Sequence, residues 1–582
     1  MPRSLLLLLI TCFALSACGQ PAAQQPEATT TGATVEPATP GVPPTPTLDL
    51  PTPPPQITPA PAPAEAPIPA GWWDEAVCYE IFVRSFYDSD GDGIGDFNGL
   101  IEKLDYINDG DPNTITDLGA NCIWLMPISD ATSYHGYDVI DYFTVHPEYG
   151  TNDDFKRMVE AANARGIKVI IDLVLNHTSV EHPWFQEALR DPNSPYRDFY
   201  LWSKDKPTYR GPFGNNEVWH KSPVADEYYY GLFWSGMPDL NYRNPAVTAE
   251  AQRISLFWIE EMGVDGFRLD AIKHMIEYQA MQADTPETFE WLRAYRQFLD
   301  ARAPGTFTIG EIYDAGPRQL QNYFPDQLYY YFEFEVAAAI RNAANIGLAR
   351  AFLNAVEEAY TQLPDQRWSP FLTNHDQNRV MSGFRDDMSK GKIAAFALLT
   401  IPGLPFLYYG EEIGMVGVKP DEDIRTPMQW TKEEFGGFTA GRPWRNPQAD
   451  YPVKNVAMQA EDPDSLLNTY RELIHLRLNT PALASGDFVR LAADGSGVSA
   501  FLRKTADQTV LVLINFDSAT LPNVAIDGSD AGLAPGTYTV TPLYGDAAPT
   551  EVVVGTDGSF SGFTPLAELP GRTGYVFELT TP

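Results

Sequence analysis

At 582 residues, 44% of them hydrophobic and including 12 Trp, 29 Tyr and 31 Phe, the chain can bury the cores of roughly two to four domains. Its 40 Lys and Arg stand against 77 Asp and Glu, a formal net charge of −37. Such a field repels phosphate backbones and anionic lipid, which argues against nucleic-acid binding and against electrostatic attachment to a membrane.

The first residues, MPRSLLLLLITCFALSACGQ, hold an apolar run too short for a transmembrane helix and read as a secretory signal. The segment LSAC resembles a bacterial lipobox, so residues 1–18 are expected to be a lipoprotein signal with Cys18 as the lipidated residue. Ordinary cleavage near Ala17 is the plainer alternative. Residues 19–70 carry sixteen of the chain's 50 prolines and no Lys or Arg. This composition predicts a disordered, semi-extended linker that could span on the order of 150 Å in polyproline geometry. Together these features predict an extracytoplasmic enzyme-sized body held to a bacterial membrane by lipid alone.

From Gly71 the texture becomes globular. The run VCYEIFVR (77–84) reads as a buried strand and opens into DSDGDGIGDFNG, where Asp88, Asp90, Asp92 and Asp96 alternate with glycines. Hard oxygen ligands at such spacing suit Ca²⁺. An EF-hand is excluded, because its twelfth position is Gly99 where a bidentate Glu is required, and because a strand precedes the loop. Cys78 and Cys122 lie in apolar strand-like runs. Buried free thiols are expected there, with a disulfide as the open alternative. No CxxC or HExxH spacing supports zinc.

Seven more apolar runs follow: NCIWLMPI (121–128), KVIIDLVLN (168–176), VDGFRLD (264–270), TFTIGE (306–311), LYYYFEFE (328–335), PFLTNHD (370–376) and LPFLYYG (404–410). Helical patterns such as FKRMVEAANARG separate them. The alternation predicts a (β/α)₈ barrel over 71–177 and 241–482, interrupted after the third strand by an aromatic-rich insertion, 178–240. Residues 483–582 alternate apolar and polar positions between turns and predict a C-terminal antiparallel β-sandwich.

Chemistry in such barrels gathers at the C-terminal ends of the strands, where this chain sets Asp172, His177, Arg268, Asp270, Glu311, His375 and Asp376. Arg268 and Asp270, two apart, project to the same side. The guanidinium suits an ionised nucleophile, whereas Glu311 after an apolar strand suits a carboxyl with a raised pKa. Singly each is as easily an ion pair or a turn. Several carboxylates aimed into one cleft, with no metal or nucleotide signature, point to glycoside hydrolysis.

The segments DLVLNH, GFRLDAIKH, GEIYD and FLTNHD resemble, in order and spacing, the four signature regions of glycoside hydrolase family 13, the α-amylase family. The resemblance implies Asp270 as nucleophile, Glu311 as general acid/base and Asp376 as transition-state stabiliser. It implies support around the same sugar from Arg268, His177 and His375, and stacking by Tyr137 of YHGYDV; Asp172, a carboxylate within an apolar strand, is expected to join them in binding substrate. Lys273 and His274 resemble residues that receive the leaving-side glucose in α-1,4-acting enzymes. The loop after the first strand resembles a Ca²⁺ site built from Asp88, Asp90, Asp92, the Ile94 carbonyl and Asp96. The insertion resembles domain B and the terminal domain resembles domain C. The implied activity is endo-α-amylase on starch, maltodextrin or maltooligosaccharides, by a monomer. The segment MPDLN (237–241) lies between the oligo-1,6-glucosidase and neopullulanase forms, which keeps those short-substrate activities as alternatives. A catalytically inactive starch-binding lipoprotein is the non-enzyme alternative.

Overall fold

The computed structural model describes residues 71–581. The expected signal, the expected lipidation site Cys18 and the expected linker all lie outside the described residues. Among those described, no helix is long and apolar enough to cross a membrane.

Eight parallel strands form the barrel: β1 (Cys78–Ile81), β2 (Cys122–Leu125), β3 (Lys168–Leu173), β4 (Gly266–Leu269), β5 (Phe307–Gly310), β6 (Tyr330–Phe332), β7 (Trp368–Ser369) and β8 (Phe406–Tyr408). Their bonded order is β7-β6-β5-β4-β3-β2-β1-β8. Leu404 N–H donates to the Trp368 carbonyl and Phe406 N–H to the Pro370 carbonyl, both at 3.0 Å, which closes the ring.

The helices between strands follow from amphipathic spacing. In Asn152–Asn163, Phe155, Met158, Val159 and Ala162 are buried at helical intervals, and Thr151 and Asp154 cap the N-terminus reciprocally.

Strand seven differs from expectation. The residues paired with β6 are Trp368 and Ser369, ahead of the run 370–376. Pro370 has no N–H to donate, so the ladder stops there. The chain from Phe371 leaves the ladder, apart from a bridge to Phe406, and carries His375 and Asp376 across the mouth.

A second difference concerns the cysteines, which are not free thiols. β1 and β2 pair in register with Cys78 opposite Cys122, their Cα atoms are 4.3 Å apart, and the two are disulfide-bonded. Both face the lower barrel interior, in one apolar cluster with Trp73, Trp124, Ile170, Phe307 and Ile309.

Between β3 and β4, helix Pro183–Arg190 precedes a small antiparallel sheet of Trp202–Ser203, Tyr228–Tyr230 and Trp219–Lys221. The C-terminal region is an eight-stranded antiparallel sheet. Thr550–Val554 and Phe560–Phe563 sit at opposite ends of its bonded order yet are consecutive in sequence, so the sheet folds over one core that includes Leu513, Val540 and Phe577.

Candidate active site

The inward positions of β1, β3, β4 and β5 turn polar at their C-terminal ends, and those of β3, β4 and β5 meet on Arg268. This buried guanidinium donates through one nitrogen to Asp172 Oδ1 at 2.7 Å and Oδ2 at 2.9 Å, and to Asp270 Oδ1 at 2.7 Å. Its other terminal nitrogen lies 3.1 Å from Glu311 Oε2. It rests over the Trp124 ring, 5.2 Å from the centroid, at the top of the apolar layer. Ala271, held at φ 49, directs its N–H at Glu311 Oε2, 3.4 Å away.

On the opposite side, His375 Nδ1 is 2.5 Å from Glu80 Oε1. His375 Nε2 is 2.6 Å from the Tyr137 hydroxyl, which donates to Asp172 Oδ2 at 3.0 Å. The Tyr137 and His375 rings stack at 18°, 5.7 Å between centroids. A continuous chain of polar contacts therefore runs Glu80–His375–Tyr137–Asp172–Arg268 and ends on Asp270 and Glu311. His177 Nε2 donates to the Tyr137 carbonyl at 3.0 Å, which fixes the loop that presents that ring.

Electrostatics separate the carboxyls. Burial pushes Glu311 above the usual range; Arg268 opposes this, while Asp270 and Asp376 add to it. Burial also tends to raise Asp376, but His375, Arg425 and Arg268 outweigh it and hold the group down at about 2. For His375, burial favours the neutral ring, yet Asp376 and Glu80 raise its pKa above the ordinary value. The site thus offers a carboxyl inclined to keep its proton beside one that stays ionised, which is what acid-assisted cleavage of an acetal requires.

Two participants had weak sequence signals. Glu80 is a carboxylate inside an apolar strand, the same signal that marks Asp172. Arg425, which donates to Asp376 Oδ1 and to the His375 carbonyl, both at 2.9 Å, comes from a loop after β8 with no local pattern to reveal it.

Lys273 is half-buried and donates to the Tyr313 carbonyl at 3.0 Å. His274, expected beside it at the leaving side, turns inward and is buried. Its Nδ1 bonds the Gln282 carbonyl, and burial lowers its pKa to about 4. The Asn176 amide donates to the His274 carbonyl at 2.8 Å.

In the loop after β1, carboxylate oxygens of Asp88, Asp90 and Asp96 lie within 4.8 Å of one another. Three hard anionic ligands on a glycine-rich turn fit Ca²⁺. Asp88 also accepts N–H groups of Gly91 and Gly93, both at 2.7 Å, which fixes the turn. Asp92 stands apart from the group of three, its Oδ1 accepting the Ile94 N–H at 2.8 Å.

Carboxylates gathered around one arginine at the mouth of a (β/α)₈ barrel, with an imidazole linked to them through Tyr137, make the site of a glycoside hydrolase. The model of the α-amylase catalytic domain matches residues 80–486. The chain belongs to glycoside hydrolase family 13, the α-amylase family. It is 40% identical to alpha-amylase 3 of Dictyoglomus thermophilum over 451 residues, 77% of this chain and 85% of that protein. It is 34% identical to a trehalose synthase/amylase of Mycobacterium tuberculosis over 574 residues, 88% of this chain and 91% of the relative. Among solved structures, an α-amylase from H. orenii aligns at TM-score 0.74 and 41% identity, covering 87% of this chain and 99% of its own.

Proposed function

We propose that this enzyme is an endo-acting α-amylase that cuts internal α-1,4 bonds of starch and maltodextrins with retention of configuration. The observation that carries the reading is the convergence of Asp270 and Glu311 on one guanidinium, with Asp376 across the cleft. Asp270 attacks the anomeric carbon while Glu311 protonates the departing glycosidic oxygen. The glycosyl–Asp270 ester that results is hydrolysed by water deprotonated by Glu311. Two carboxyls sharing Arg268 suit the close spacing of a retaining pair, about 5–5.5 Å. Asp376, backed by His375 and Arg425, grips the sugar hydroxyls, and Tyr137 offers its ring face to the same sugar. Lys273, at the rim, receives the next glucosyl unit.

Two similar proteins named α-amylases favour this specificity. The trehalose synthase/amylase and an oligo-1,6-glucosidase at 32% identity favour a second reading, in which the enzyme works on short α-glucosides. A time course on amylose separates the two. Early loss of iodine colour with mixed maltooligosaccharides supports endo-amylase, whereas glucose as the sole early product, or trehalose formed from maltose, moves the assignment to the second reading.

Asp88, Asp90 and Asp96 are the residues that would hold a structural Ca²⁺, whose charge would offset their mutual repulsion. Acylation of Cys18 would tether a monomer to a bacterial membrane through the linker. Retention of Cys18→Ser protein in the membrane fraction would contradict the anchor.

A further inference from the structure

Glu80 takes no part in the reaction outlined above, yet it stands in the barrel mouth at 2% exposure. A carboxylate is seldom buried without a partner of opposite charge. Among the described residues Glu80 forms no ion pair with a lysine or an arginine; its partner is His375. His375 Nδ1 lies 2.5 Å from Glu80 Oε1, and the His375 backbone N–H points at the same oxygen from 3.4 Å. That backbone has no other tether from the sheet, because the pairs of β7 with β6 end at Ser369. Arg425 donates to the His375 carbonyl at 2.9 Å, and Trp124 meets the ring edge-on at 5.5 Å. Glu80 is therefore the group that holds both the ring and the backbone of His375.

The oxygens around the ring fix its protons. The single hydroxyl proton of Tyr137 goes to Asp172 Oδ2 at 3.0 Å, so the Tyr137 oxygen is left to accept from His375 Nε2, 2.6 Å away. The same Nε2 lies 3.4 Å from Asp376 Oδ2. Nε2 thus faces acceptors while Nδ1 faces the Glu80 carboxylate, and a ring that serves both carries hydrogen on both nitrogens. Charge balance agrees. The mouth sets Glu80, Asp172, Asp270, Glu311 and Asp376 against only the Arg268 and Arg425 guanidiniums. Burial alone favours a neutral ring and Arg425 adds to that, but Asp376 and Glu80 outweigh them and raise the His375 pKa. Asp172 and Glu311, the remaining titratable groups that face the ring, also feel its charge.

We propose that Glu80 is a positioning residue for hydrolysis, whose charge keeps His375 doubly protonated so that Nε2–H remains a fixed donor beside the sugar gripped by Asp376. This rests on the reading of the enzyme as an α-glucan hydrolase and adds to it a residue that acts only through His375. Without the charge, the ring keeps one proton. If that proton stays on Nδ1, Nε2 becomes an acceptor, draws the Tyr137 proton away from Asp172, and offers the sugar no donor. Asp376 then also loses the cation 3.4 Å from its Oδ2. The loss grows with pH, because a neutral ring is the form favoured at lower proton concentration.

The test is an NMR titration of histidine-labelled wild type and Glu80→Gln, which keeps the shape of the side chain and removes its charge. The ring nitrogens of His375 are identified by their loss in His375→Asn. The wild-type ring should hold both protons beyond the ordinary histidine range, and the Glu80→Gln ring should lose one at a lower pH. In parallel, kcat/KM is measured on α-maltosyl fluoride, whose leaving group needs no proton. Glu80→Gln should fall about tenfold below wild type near pH 8, and far less near pH 5, where the ring takes up its second proton in both proteins. An equal fall at both pH values would mean a merely structural role and would overturn the proposal, as would an unchanged titration of His375. Should Glu80→Gln not fold, the wild type decides alone: a singly protonated His375 near pH 6 overturns the proposal. Failure of the wild type to cleave any α-glucoside would instead overturn the hydrolase reading, while the titration still decides what Glu80 does to His375.

Discussion

The lower and upper layers of the barrel interior are built from the same strands and differ by a single two-residue step. Cys78 and Glu80 project inward from β1, Ile170 and Asp172 from β3, and Ile309 and Glu311 from β5 and its end. The lower members belong to one dry cluster with Trp73, Trp124 and Phe307. The upper members join the polar chain that centres on Arg268. Arginine is buried near both ends. Arg477 donates to the Leu399, Ile401 and Gly403 carbonyls at 2.9, 2.8 and 2.6 Å, just before β8 begins. Arg503 of the C-terminal domain bonds the Thr400 carbonyl at 3.0 Å. These two guanidiniums face neutral acceptors at the end of helix Met388–Thr400, and burial lowers Arg477 to about 10. Arg268 faces carboxylates, and its pKa is raised. The contrast teaches that burial alone does not mark function: a buried cation on carbonyls staples the fold, and one on carboxylates tunes their reactivity.

The largest effects should come from the upper layer. Asp270→Asn should lower kcat by about four orders of magnitude or more while leaving the melting curve nearly unchanged. Wild-type enzyme followed by NMR should release the α-anomer first, and initial β-anomer would refute the covalent intermediate. Glu311→Gln should cost about 10²–10⁴ in kcat/KM on maltooligosaccharides, but far less in kcat/KM on α-maltosyl fluoride, whose leaving group needs no proton. The sign of the pH effect follows from the raised Glu311 pKa. The acid form is the active one, so kcat/KM falls as pH rises through that pKa, and this alkaline limb lies above the usual Glu range. Asp376, held down at about 2, stays ionised throughout. On the fluoride, which needs no proton, kcat/KM of the wild type should lack this alkaline limb; a limb that persists there belongs to another group.

Arg268→Met and Arg477→Met break the comparison at each end. Removing Arg268 strands buried carboxylates, so a stability loss of about 3–5 kcal/mol should accompany a displaced pH profile. Removing Arg477 leaves carbonyls unpaired at about 1–3 kcal/mol for each group, and the pH profile of the remaining activity should not move. Urea denaturation paired with kcat/KM against pH reads both, and a shifted profile in Arg477→Met would erase the distinction.

The sequence makes the upper layer more legible than the lower. A polar residue closing an apolar run is visible locally, so Asp172, Arg268, Asp270, Glu311 and the barrel itself could be read without coordinates. The disulfide could not, because Cys78 and Cys122 meet only through the register of β1 against β2, a property of pairing and not of either segment. The seventh strand was displaced for a local reason, the missing N–H of Pro370. Arg425 stayed hidden because its partner Asp376 lies 49 positions away and its own neighbourhood carries no periodic signal. His274 showed its residue type but not its orientation, which depends on the bond to Gln282.

The remaining effects are on stability alone. Replacing both Cys78 and Cys122 by Ala opens a link across 44 residues and should cost about 2–4 kcal/mol, with initial rates at 25 °C unchanged because the bond lies a layer below the polar chain. A change in KM or in the pH profile would mean that the lower layer does more than support. The smallest expected effect lies in the loop after β1. Only the folded loop gathers Asp88, Asp90 and Asp96, so a Ca²⁺ held there stabilises by mass action, about 1.4 kcal/mol at ten times its Kd. Chelator should therefore lower the Tm by a few degrees while initial rates at 25 °C hold, since the ligands make no contact with Arg268 or its carboxylates. Asp90 is exposed, so Asp90→Ala should fold normally and lose the chelator sensitivity. If the Tm stays fixed after metal removal has been verified by elemental analysis, the acidic turn is held by its own backbone bonds and needs no ion.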